Sequence, residues 1–254
     1  MMKGLKWYSL IFSVFLLASL IANIPAAWVY SLFPAQRGVA VSGIEGTVWN
    51  GSVQQLKVDQ EFFGRIQWSL EPSQLLLAKL QYQVRFGQGS SVELDGKGVV
   101  GAGITGLYAK NVLASIPMPQ VARFIPMQGA PIDLQGQLEL SLTEFDYGQP
   151  WCEEAKGSLA WTNGEIITPM GNLSPSPVIA DIKCQSQKID IKGKQNNSQV
   201  SSEFSVNLNE QSQYKLASWF KPGADFPSSM MEQLKWLGDP DSQGRYLFNF
   251  SGKL

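Results

Sequence analysis

The chain has 254 residues, enough for one large or two small domains with a sizeable core. Its net charge is −1, from 20 basic and 21 acidic residues, and no basic block follows the N-terminus, so the electrostatic footprint of a nucleic-acid binder is missing. Histidine is absent, which excludes Ser-His-Asp and Cys-His catalysis and most zinc sites, while carboxylate catalysis stays open.

Lys3 and Lys6 are the only charges before Arg37. An apolar run starts at Trp7 and, past Asn23 and Pro25, continues to Trp28, Val29 and Tyr30. A bilayer is crossed by about 20 apolar residues in a helix, and aromatic side chains favour its two interfaces. Residues 1–6 therefore read as a cytoplasmic tail and 7–30 as a transmembrane helix, with the lysines setting the N-terminus inside. The competing reading is a signal peptide cut near Pro25-Ala26-Ala27. Proline is unfavourable there and the run is long, so an uncleaved anchor is expected; either way the rest of the chain is exported.

Residues 31–45 read as a linker and first strand, and 46–254 as a β domain. Candidate strands are 52–58, 64–70, 78–86, 91–98, 107–113, 131–142, 157–161, 179–184, 188–192, 200–207, 213–216 and 245–250, with Gly, Asn and Pro marking turns between them. Ile132-Asp133-Leu134-Gln135 through Leu142 is the clearest case of apolar and polar residues alternating. Successive strand side chains point to opposite faces, so this pattern predicts a mainly antiparallel sheet with one dry and one wet face, either curled into a groove or packed as a sandwich. Short helices are expected at 119–124 and 228–237. The stretch from Gly46 through Trp49 to Val53 echoes that from Gly157 through Trp161 and Gly164 to Ile166, which divides the β domain into two pseudo-repeats, 46–150 and 151–254.

Cys152 and Cys184 are the only cysteines. In an exported protein a lone pair is most simply one disulfide, with two free thiols as the alternative. Trp49, Trp68 and Trp161 read as inward-facing structural residues or as a recognition surface. Glu153-Glu154 reads as a solvated turn, because adjacent strand carboxylates do not converge. Asp239-Pro240-Asp241-Ser242-Gln243-Gly244 reads as a turn that lacks the glutamate of a calcium loop. Ser115-Ile116-Pro117-Met118-Pro119 reads as a rigid crossover. No phosphate-binding glycine loop, nucleophile elbow or CxxC pair is present, so no catalytic residue, metal or cofactor is expected.

Gly46-Thr47-Val48-Trp49-Asn50-Gly51, followed by Trp68-Ser69-Leu70-Glu71-Pro72-Ser73-Gln74-Leu75-Leu76, resembles the opening motifs of the N subunit of bacterial type II secretion systems. Trp151-Cys152, Gly157-Ser158-Leu159-Ala160-Trp161 and Lys183-Cys184 resemble that family's second half. The resemblance implies a short cytoplasmic end, one inner-membrane helix and a periplasmic β domain working beside the inner-membrane platform and the secretin-connecting subunit. It implies a non-enzymatic part in the export of folded proteins, powered by a separate ATPase. A broader resemblance is to AsmA-like periplasmic proteins, which are far longer; it implies a curved sheet with an apolar channel for lipid, the alternative functional reading.

Overall fold

The computed structural model describes residues 2–34, 37–123 and 131–253. Fourteen strands form one antiparallel sheet: β1 Val39–Gly46, β2 Asn50–Val58, β3 Glu61–Leu70, β4 Leu80–Gln88, β5 Asp95–Gly103, β6 Gly106–Pro117, β7 Asp133–Asp146, β8 Glu154–Thr168, β9 Gly171–Leu173, β10 Val178–Gln185, β11 Lys188–Asn196, β12 Val200–Leu208, β13 Gln213–Pro222 and β14 Tyr246–Lys253. They pair in chain order, with the short β9 set aside on β8, and β1 and β14 remain unpaired edges. Among the described residues the groove-or-sandwich alternative thus resolves to a single open sheet. The helices are α1 Met2–Ala22, α2 Ala26–Tyr30, α3 Pro72–Leu75, α4 Met118–Ala122 and α5 Ser228–Met231, the last continued by a 3-10 turn, Glu232–Leu237.

The alternation in the sequence becomes two faces. One row of register partners crosses the sheet as Ile44, Val53, Ile66, Phe86, Gly96, Ala114, Leu140, Leu159, Ala180, Gly193, Phe204, Ser218 and Phe248. The row one residue further along runs Glu45, Ser52, Gln67, Arg85, Lys97, Leu113, Ser141, Ser158, Asp181, Lys192, Ser205, Ala217 and Asn249. The first row is apolar but for one serine, the second mostly polar. A one-residue slip of any strand would move its apolar set into water, which fixes the register.

Aromatic rings cover glycines across the strands. A Cβ on Gly193 would lie 2.3 Å from the Phe204 ring, one on Gly96 would lie 2.3 Å from Phe86, and one on Gly51 would lie 2.6 Å from Trp68. Each is a direct register pair. Register shifts interrupt β2, β5, β7 and their partners, and such bulges bend a strand and raise its twist. Opposite the β8 bulge at Asn163, Gly136 has φ +105°, and a Cβ there would lie 2.6 Å from the Asn163 backbone oxygen, so only glycine fits.

The expected helix over 7–30 is not formed as one element. α1 stops at Ala22, where the Asn23 side-chain amide bonds back to the Ser19 oxygen at 2.8 Å. Pro25 then pairs with Thr47 and opens α2. Among the described residues no helix is long and apolar enough to cross a membrane. The apolar part of α1, residues 7–22, covers about 24 Å at the α-helical rise, against a hydrocarbon core of about 30 Å.

Other boundaries moved for local reasons. Residues 91–94 fold under the β3 turn through Ser91 N–H to the Phe62 oxygen at 2.9 Å, so β5 starts at Asp95. Ser115 to Pro117 is the end of β6 and not a crossover; α4 follows at once. The 119–124 helix is α4, and Phe124 lies outside the described residues.

Candidate functional site

The dry face is covered over β8–β13. Beyond β13 the chain returns over β8–β13 as α5 and the 3-10 turn, burying Phe226 and Leu234. The Ser229 hydroxyl donates to the Met170 oxygen and ties this cap to the β8–β9 turn. Between cap and sheet lies a cleft of about 830 Å³. Leu138, Leu159, Trp161, Val178, Ala180, Val200, Phe204 and Phe220 form its floor, and Phe226, Met230, Leu234 and Leu237 its cap. Among the described residues no charged side chain lines it; Thr168, Ser202 and Gln233 are the polar contributors, and the Thr168 hydroxyl is already donated to the Gly171 oxygen. Among the described residues this lining presents no titratable side chain to act as acid or base. It favours hydrocarbon, because a peptide backbone placed there would lose its hydrogen bonds to water without replacement.

The expected site residues fall into three groups. Trp161 lines the cleft, donates its indole N–H to the Gln135 oxygen at 2.9 Å, and lies against Gly164, where a Cβ would be 2.6 Å from the ring. Gly157 continues the same face of β8 opposite Leu142 and Ile182.

Gly46, Trp49, Gly51, Trp68 and Pro72 gather at the opposite end of the chain's meander, where β1 turns into β2. Gly46 takes φ +83° to leave β1, and the Thr47 hydroxyl accepts the backbone N–H groups of Trp49 and Asn50 at 3.3 and 3.2 Å. Trp49 therefore stands in a turn and not within a strand on the dry face. It is half-buried, and its indole N–H donates to the Ile21 oxygen at 2.8 Å, at the end of α1. Trp68 lies half-buried on the dry face over Gly51 and donates to the Thr47 and Val48 oxygens at 3.2 and 3.1 Å. Pro72 opens α3, where its missing N–H matters least. Beside it the Glu71 carboxylate accepts the side-chain amides of Gln81 and Gln83. The two halves of the sequence echo are thus placed differently, Trp49 in a hairpin turn and Trp161 in mid-strand.

Cys152 and Cys184 form a disulfide, each only 1% exposed. It pins the β7–β8 loop to β10, with Phe145, Trp151 and Ile189 packed around it. Trp151 reaches on to the Asn209 oxygen at 3.1 Å, and the Gln187 N–H donates to the Cys152 oxygen at 2.9 Å. Glu153 ends the loop and Glu154 opens β8. Asp241 closes a turn: its carboxylate accepts the backbone N–H groups of Arg245 and Gln243 and the Arg245 guanidinium. The backbone and side-chain hydrogen bonds from Arg245 hold its carboxyl below the usual carboxylate range. Sequence reasoning missed Val200, Phe204, Phe220 and Phe226 as cleft residues; the 231, 234, 237 spacing of the cap was the available signal.

The family described as Type II secretion system (T2SS), protein N, matches residues 37–249. The chain belongs to this family. Similar members of the type II secretion system protein N family include that of Vibrio cholerae serotype O1, 42% identical over 253 residues with 100% of each chain covered. That of Aeromonas hydrophila is 30% identical over 255 residues, again with 100% of each covered. That of Pectobacterium carotovorum subsp. carotovorum is 23% identical over 237 residues, 92% of each chain. No solved structure gives a significant match.

Proposed function

We propose that this chain is a non-catalytic component of the type II secretion system, taking part in the export of folded proteins from the periplasm. The observation that carries the reading is the end-to-end match to a relative of that name. The reading places the protein in the bacterial inner membrane with the N-terminus cytoplasmic and the sheet periplasmic. α1 is the anchor: Ile11, Phe12, Phe15, Leu16 and Leu20 are all exposed on it, which suits lipid. Its apolar run falls about 6 Å short of a typical hydrocarbon core, a mismatch met by local thinning of the bilayer.

In this reading residues 46–150 form the anchor-side half and 151–254 the half that supplies most of the cleft. The expected neighbours are the inner-membrane platform and the secretin-connecting subunit. Photo-crosslinking from the polar face of β10–β11 in living cells tests this, since a trapped secretion subunit supports the assignment and repeated capture of nothing but unrelated envelope proteins counts against it.

The cleft favours a second reading, a lipid-binding or lipid-transfer groove. Among the described residues its lining lacks charged side chains, and its volume is about 830 Å³. Native mass spectrometry of the detergent-purified protein separates the readings: stoichiometric phospholipid supports the groove, and a lipid-free mass removes it.

A further inference from the structure

The antiparallel meander places the turns 47–49, 71–79, 104–105 and 147–153 at one end of the sheet. α1 leaves from this same end. Trp49 donates to Ile21, Val48 N–H donates to the Ile24 oxygen at 3.0 Å, and Leu70 N–H donates to the Trp49 oxygen at 2.7 Å, so the helix end, the β1–β2 turn and the end of β3 are one hydrogen-bonded unit.

The rim beyond that unit is apolar and open. Leu75, Leu76 and Leu77 project from α3 and its exit, with Leu76 90% exposed. Ile104 in the β5–β6 turn is 93% exposed. Leu107 and Tyr147 continue the strip, joined by Tyr147 N–H to the Leu107 oxygen at 2.9 Å, and Leu80, Ala102 and Leu107 are successive register partners beneath it. At the other end of the same strands the turns carry Asp59, Gln60, Gly89 and Ser90. Along the same end but over β10–β13 the turns carry Ser186, Gln187, Asn209, Glu210 and Gln211. Among the turns at this end of the sheet, exposed apolar side chains are therefore concentrated beside the helix exit. Water penalises such a strip, and large exposed apolar patches mark contact surfaces.

We infer that this rim is a second membrane contact: Leu75 to Leu77, Ile104 and Leu107 enter the lipid interface, Tyr147 sits at headgroup level, and the sheet stands on the bilayer by its first seven strands. This rests on the reading of α1 as the membrane anchor. The occupant is lipid, because a helix embedded in a bilayer and bonded to the rim brings the rim to the surface of that bilayer. The exposed Lys79 beside Leu77 adds attraction to anionic headgroups.

The test uses the full chain in vesicles of phosphatidylethanolamine and phosphatidylglycerol. Single substitutions Phe15→Cys, Leu76→Cys, Ile104→Cys and Trp236→Cys carry an environment-sensitive fluorophore; the native disulfide is buried and escapes labelling. Trp236 is the control, 85% exposed but in the cap at the far end of the meander. Expected are blue-shifted emissions at 15, 76 and 104. Spin labels deep in the lipid should quench the probe at 15, spin labels near the headgroup those at 76 and 104, and aqueous iodide that at 236. If 76 and 104 behave like 236 while 15 remains in lipid, the rim inference is overturned and the anchor stands. If all four follow iodide, the anchor reading fails and takes the rim with it. A photoreactive residue at 76 that traps a protein in cells, with no lipid adduct, also overturns the inference.

Discussion

The indole N–H of Trp49 donates to the backbone oxygen of Ile21 at 2.8 Å, joining the turn that begins the sheet to the last turn of the N-terminal helix. The late carbonyls of a helix have no partner within it, and here a side chain from residue 49 supplies one. The Gly-x-x-Trp-x-Gly motif thereby acts as a coupling between helix and sheet.

Trp49→Phe keeps an aromatic ring of smaller size and removes the donor. Loss of this single bond should cost about 0.5–1.5 kcal/mol locally. Hydrogen exchange at the Val48 amide, which donates to Ile24, should speed up while amides in β10–β12 keep their rates. Unchanged exchange at Val48 would show that the coupling lies elsewhere.

Gly193→Ala places a Cβ 2.3 Å from the Phe204 ring, and its three nearest neighbours are side-chain atoms of Phe204 and Ala180. Overpacking of this kind destabilises by about 1–3 kcal/mol. Because the obstacle is a ring and not backbone, adding Phe204→Leu should recover part of the loss in a double-mutant cycle. Strictly additive effects, read by denaturant unfolding, would mean the ring does not rest on Gly193.

How much of this was legible varies with the strand. β7 was read in place because residues 132–142 alternate without a break, but its last residues lie past the register shift between Leu142 and Glu144, where the alternation changes phase. β8 was read only as 157–161, because Asn163 at φ 49° shifts the pattern before Ile166. β9 has three residues and carries no period of its own. The single dry face was legible because each strand signals it alone. Which strands the cap would cover was not, because that depends on a return of the chain from β13 to β8. Trp49 and Trp161 carry similar local sequence, and only the φ of Gly46 and the Thr47 hydroxyl bonds make the first a turn.

Cys184→Ser opens a loop with a sequence separation of 32 and leaves a hydroxyl in a buried apolar site. Stability should fall by about 2–5 kcal/mol, measured by chemical denaturation of oxidised wild type and variant. The Trp151 bond to Asn209 should loosen with it, so tryptophan fluorescence should shift toward water before global unfolding. A variant with wild-type stability would show that the loop is held by Trp151 alone.

Alkaline phosphatase fused after residue 60 should be active, and the purified protein should keep its N-terminal segment by intact mass. A mature chain starting near residue 28 would remove the anchor.

The most direct test of the central claim is deletion of the gene in its native bacterium, scoring a type II substrate and outer-membrane permeability in the same strain. The account predicts substrate held in the periplasm, or released slowly, behind an intact permeability barrier, with recovery on complementation. Normal secretion together with altered detergent sensitivity would contradict it and favour the lipid groove.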